Sequence, residues 1–79
     1  MRNITLCSEE TLQLVSYVKE RFENEPEAVQ SLREEFAKLL DRLIQKRNSV
    51  ERWEKSRNLQ IAITHLEDAC MRAIKAEYL

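Results

Sequence analysis

The chain has 79 residues, with no glycine, one proline and 34% charged side chains, and its 13 basic and 14 acidic groups leave a formal charge of −1. A chain of this length makes one small domain with little stability in reserve. The well-mixed charges exclude the basic patch that duplex DNA needs, no stretch approaches the ~20 apolar residues of a membrane span, and no signal-peptide pattern opens the chain.

Leu, Ala, Glu, Lys, Arg and Gln dominate, and strand-like alternation and turn dipeptides are missing. The expected class is therefore all-α: one domain over 1–79, a short N-terminal helix and then a long antiparallel hairpin, with helices at about 8–23, 27–46 and 56–77. Cys7 and Cys70, in a chain without a secretory signal, read as reduced and buried. Met1 to Cys7 reads as a short, extended lead-in with Ile4 and Leu6 available to the core.

Ser8 before Glu9 and Glu10 supplies a capping hydroxyl and acids for the positive first turn of helix one. Its core stripe is Leu12, Val15, Val18 and Phe22, and Tyr17 points away from it. Asn24-Glu25-Pro26 ends the helix, because proline disfavours helical geometry in the residue before it. Pro26 then suits the first turn of helix two. Val29, Leu32, Phe36, Leu39, Leu40, Leu43 and Ile44 form a single-sided stripe, opposite a solvated face of Glu34, Lys38, Asp41, Arg42 and Gln45 on which Glu34 and Lys38 make an i,i+4 pair.

Arg47 to Lys55 admits two readings. Either Asn48-Ser49 breaks the helix and Ser49 caps a short turn held by Trp53, or a kinked helix continues through. Trp53 reads as a lid on the end of the core. Helix three starts with Ser56 as its cap. Leu59, Ala62, Ile63, Leu66, Ala69, Cys70 and Ala73 recur at helical spacing and face the core. Arg57, Ile61, Thr64, Asp68, Met71 and Lys75 fall roughly opposite, where a rim helix should be purely polar. Ile61, Thr64 and Met71 there predict a second contact, with another protomer, a ligand or both, and hence obligate association.

Catalysis finds no support in the residue pattern. His65 is the sole histidine, no second metal ligand has convincing spacing, no nucleophile–base pair stands out, and a chain without glycine has no phosphate loop. No metal or cofactor is expected. The start of helix three is better suited to binding. Ser56, Arg57 and Asn58 sit where unpaired backbone N–H groups attract anions, and Arg57 adds a planar fork for a phosphate or a base. Thr64 follows nearly the same azimuth at roughly 10 Å of axial separation, with Ile61 as an apolar contact between them. The alternative pairs Arg57 with Glu54 or a partner's Asp68 and bonds Thr64 to its own backbone.

The run Ser56-Arg57, four residues, Ala62-Ile63-Thr64, one residue, Leu66-Glu67, one residue, Ala69 and later Ala73 resembles the phage helical-hairpin sponges that block bacterial CBASS and Thoeris immunity. Arg21-Phe22 shortly before a proline fits the same pattern. The resemblance implies a homo-oligomer, often a hexamer, that sequesters cyclic dinucleotides, cyclic trinucleotides or cyclic ADP-ribose isomers without cleaving them, in the cytoplasm of the infected bacterium. It passes ligand contact to Arg57 and Thr64, with pockets between protomers. Anti-CBASS members often carry a His-Pro-Pro-like turn followed by a lysine. Here Asn24-Glu25-Pro26-Glu27-Ala28 has acids and no lysine, which implies loss of the cyclic-dinucleotide pocket unless Lys19 or Arg33 substitutes; such a second pocket would draw on Tyr17, Lys19, Arg21, Phe22 and Arg33. A purely structural helical adaptor is the competing reading.

Overall fold

The computed structural model describes residues 4–79. A 3-10 turn at Ile4–Leu6 precedes four helices: α1 (Glu9–Leu14), α2 (Lys19–Asn24), α3 (Glu27–Ser49) and α4 (Trp53–Glu77). The described residues thus form helices and short connections, with no strand among them. The short connection at 50–52 folds α4 back along α3, and these two helices make most of the tertiary contact. α1 lies across one side of that hairpin.

The expected first helix, 8–23, is broken into α1 and α2. Ser16 takes a left-handed φ of 53°, its N–H bonds to the Gln13 carbonyl at 3.0 Å, and the Tyr17 N–H reaches back to Leu12 at 2.8 Å. This paired pattern closes a helix C-terminus through a left-handed residue, a place usually held by glycine. A serine there gives no glycine signal, so the periodic stripe reads straight through. The break also explains why Val18 is 54% exposed while Val15 and Phe22 are buried, since the turn at Ser16 swings the following residues off the earlier stripe.

Ser8 does cap α1, its hydroxyl accepting from the Thr11 N–H. Asp41, expected on a solvated face, instead anchors this end: its Oδ1 accepts from the Ser8 N–H at 2.9 Å and the Thr11 hydroxyl at 2.7 Å, and its Oδ2 from Gln45 at 2.9 Å. Burial opposes ionisation at Asp41, but these hydrogen bonds outweigh it and hold the carboxyl below its usual range. Glu34, also expected in solvent, is buried, and it makes the expected pair with Lys38 at 3.4 Å. Ile4 tucks into the core, whereas Leu6 is exposed and the segment forms a 3-10 turn rather than a strand. The lead-in's first residues, 1–3, lie outside the described residues.

α3 runs past its expected end at 46, to Ser49, whose hydroxyl donates to its own helix at Lys46 rather than capping a following turn. α4 begins at Trp53, one turn before the expected Ser56 cap. Arg52 is the residue before it, and the Ser56 N–H is already bonded to the Arg52 carbonyl. The core is a column of Val15, Phe22, Val29, Ala37, Leu40, Ile44, Ile63, Cys70 and Ile74, with Ile4 at one end.

The apolar stripe on each long helix is wider than this core. On α4, at about 100° per residue, the buried line of Ile63, Cys70 and Ile74 has Gln60 and Met71 on the flank facing α1, and Leu59, Leu66, Ala62 and Ala69 on the other. Met71 is therefore half-buried, touching the Ser16 hydroxyl through its sulfur at 3.8 Å, rather than on an outer face. Ala62 and Ala69, expected in the core, are exposed. On α3 the corresponding open flank holds Leu32, Phe36, Leu43 and the 43%-exposed Leu39. The hairpin's side away from α1 is thus an apolar surface that no other element covers among the described residues.

Candidate functional site

On α4, Arg57, Ile61 and Thr64 lie on one exposed strip. Arg57 and Thr64 share an azimuth to within about 20°, and Ile61 is about 40° from Arg57. Arg57 has no hydrogen-bond or ion-pair partner among the described residues: Glu54 does not take it, and Asp68 is paired with Arg72 at 2.8 Å. The Thr64 hydroxyl donates to the Gln60 carbonyl at 3.0 Å, the local bond that a helical threonine commonly makes. As a donor there it keeps both acceptor lone pairs, and the residue is exposed. Ser56 and Asn58 do not join this strip, since each is about 100° from Arg57 in opposite directions. Ser56 turns half-buried toward the hairpin, while Asn58 is exposed on the far side. The backbone N–H groups left without helical partners belong to the turn from Trp53, not to Arg57.

Arg47 fixes the approach to this strip. Its guanidinium grips Glu10 through two bonds of 3.0 and 2.8 Å and also reaches Gln60 at 2.7 Å. Arg47 holds the Glu10 carboxyl below its ordinary value, and Glu10 in turn raises the Arg47 guanidinium. This ties α1, α3 and α4 together next to Arg57. Nothing in the sequence marks the link, because the partners are 37 and 13 residues apart.

The five residues of the second pocket fall into two separate grooves. Tyr17, Lys19 and Phe22 share one of about 500 Å³, lined also by Ile4, Glu23 and Gln30. Tyr17 and Phe22 stack with ring centres 5.3 Å apart, tilted by 56°. Arg21 and Arg33 line another, of about 410 Å³, with Ser16, Met71, Lys75 and Tyr78. Arg33 is only 4% exposed and is fully engaged. Its Nε and Nη2 grip Glu25 at 3.0 and 2.7 Å, and Nη1 donates to the Val15 carbonyl. Arg21 closes the same elbow by donating to the Ser16 carbonyl, 3.9 Å from Glu25. Arg33 therefore holds the α1–α2 elbow, buried and neutralised by Glu25 rather than open to a ligand. Lys19 is the exposed cation lining the first groove.

Trp53 is not a lid. It is 70% exposed at the first residue of α4. Among the described residues no group of three or more His, Cys, Asp or Glu side chains could hold a metal ion, and no helix is long and apolar enough to cross a membrane.

Fold and site together define a class: a small helical hairpin with an open apolar flank and a guanidinium waiting on the rim of its longest helix. The family model for the Acb2/Tad1 hairpin domain matches residues 18–76. The chain belongs to that family, the phage anti-CBASS and anti-Thoeris sponges, which bind cyclic oligonucleotides. No curated protein and no solved structure gives a significant match. The matched span takes in α2 to α4 and leaves α1 outside it.

Proposed function

We propose that this protein is a homo-oligomeric sponge, a hexamer by family likeness, that holds a cyclic di- or trinucleotide or a cyclic ADP-ribose isomer intact in the cytoplasm of the infected bacterium. The observation carrying this reading is the unpaired Arg57 guanidinium on the same strip as Ile61 and Thr64, inside the family-matched span. A guanidinium that no carboxylate neutralises is available for bidentate phosphate binding. Binding without cleavage fits the sole histidine, His65, which is exposed and has no hydrogen-bonded partner among the described residues. Assembly would use the apolar flank of Leu39, Leu43, Ala62 and Ala69, where alanines permit close helix approach. This flank takes over the interface role expected of Met71.

Native mass spectrometry with a panel of cyclic di- and trinucleotides and cyclic ADP-ribose isomers tests the reading directly. A panel member should bind, return unmodified after denaturation, and be lost in Arg57→Ala but not in Lys38→Ala. Absence of binding across the panel, or release of hydrolysis products, refutes it. For the assembly, Ala69→Glu should lower the mass measured by light scattering while leaving far-UV helicity intact. A wild-type protein that is a folded monomer at micromolar concentration rules the oligomer out.

A further inference from the structure

We infer that Trp53 is the base-stacking side chain of the Arg57 site, and that it favours ligands carrying an exposed nucleobase face over base-free anions. This rests on the sponge reading and deepens it.

The chain's single tryptophan is the first residue of α4, and a largely buried indole is the usual outcome for so large an apolar group. Trp53 is instead 70% exposed and makes no ring contact among the described residues. Its position is informative: Trp53 and Arg57 are four residues apart, so their azimuths differ by about 40° and their Cα atoms by ~6 Å along the axis. Thr64 lies only about 20° from the Trp53 azimuth, farther along the same side. An indole face, a free guanidinium, the Ile61 side chain and a hydroxyl therefore follow one another along one open line. A cyclic nucleotide offers partners for each of these groups: a flat base for the indole, a phosphate for the guanidinium and a sugar for Ile61 and the hydroxyl.

A second protein surface explains this line less well. The apolar flank of Leu39, Ala62 and Ala69 is on the opposite side of the buried Ile63–Cys70 column, so Trp53 is not continuous with it. Stacking on an indole tolerates different bases but requires a π-face, and its loss weakens binding by roughly fivefold to over a hundredfold per base.

The lone tryptophan makes the test direct, because all indole fluorescence comes from residue 53. Full-length protein is titrated with cyclic triadenylate, cyclic di-adenylate and cyclic ADP-ribose, each carrying adenine, and with inorganic pyrophosphate as a base-free anion. Binding is measured in parallel by equilibrium dialysis. At least one adenine ligand should bind and quench the emission, while pyrophosphate leaves it unchanged. Trp53→Ala should bind that ligand at least tenfold more weakly at unchanged oligomer mass, and Trp53→Phe should recover most of the affinity. Binding seen by dialysis with unaltered emission and undiminished affinity in Trp53→Ala overturns the inference and leaves the sponge reading standing. Loss of binding that accompanies a fall in oligomer mass also overturns it, by assigning Trp53 to a subunit contact. No binding of any adenine ligand overturns the inference, while the sponge reading falls only if the wider cyclic di- and trinucleotide panel also fails to bind.

Discussion

Replacing Arg33 by methionine keeps the aliphatic stem and deletes the guanidinium that ties α2 and the α1–α2 elbow to α3. The Glu25 side chain is only 5% exposed, and its remaining cation would be Arg21 at 3.9 Å, itself half-exposed. The Val15 carbonyl, on a residue that is 0% exposed, loses its side-chain donor as well. Stripping one partner from a buried ion pair costs about 3–5 kcal/mol. A chain of this length has a total stability of only roughly 4–12 kcal/mol. The melting temperature should therefore fall by about 15 °C or more. The assay is urea unfolding followed by far-UV circular dichroism, at one fixed protein concentration because association contributes to apparent stability. The double variant Arg33→Met/Glu25→Leu removes both charges and should regain at least half of the loss, since an apolar replacement of a buried pair is often neutral. A single-variant loss below about 1 kcal/mol, or a double variant no more stable than the single, would show that the elbow is not held by this pair.

Three other outcomes are expected. Asp41 has a lowered folded-state carboxyl value, so its contribution is full above the unfolded value of about 3.9 and is lost as pH falls through the lower folded value. Asp41→Asn should therefore cost about 1 kcal/mol at pH 7, with the gap to wild type closing as pH falls below the ordinary carboxylate range, as read by thermal melts across pH. A gap independent of pH would refute the role of the charge. Ser16→Gly should stabilise the fold by roughly 0.5–1 kcal/mol, because glycine takes a left-handed φ without a Cβ clash. Chemical denaturation showing a loss of that size would contradict this account of the elbow. Burial pushes the Cys70 thiol up to about 11, so at pH 8 a disulfide reagent should label the half-buried Cys7 well before Cys70. Equal rates at both thiols would mean that the hairpin core opens readily.

Much of the fold was legible in the chain. Helix content followed from composition, the Ser8 cap from a hydroxyl preceding two acids, and the end of α2 from Pro26. Each of these is a local effect, acting over a turn or less. The Ser56-Arg57 to Ala73 pattern likewise pointed to the right family. What the chain concealed was mostly non-local. The break at Ser16 stands without a glycine because Arg33 and Arg21, from elsewhere in the sequence, satisfy the carbonyls it exposes. Asp41 looks like a solvated charge until α1 arrives to donate to it.

The site shows the same division. Helical periodicity alone put Arg57, Ile61 and Thr64 on one strip, because their spacing fixes their azimuths. Which strip stays open depends on where α1 packs. The elbow that follows it half-buries Met71 at Ser16, while Ala62, Ala69 and Leu39 stay exposed, so the apolar flank is on the side opposite to the one the stripe count indicated. Arg33 is removed from ligand chemistry by Glu25, eight residues away, and Trp53 is turned out by an α4 that starts one turn early. Sequence periodicity determines which residues share a face; only the packing of the helices decides which face is left without a neighbour.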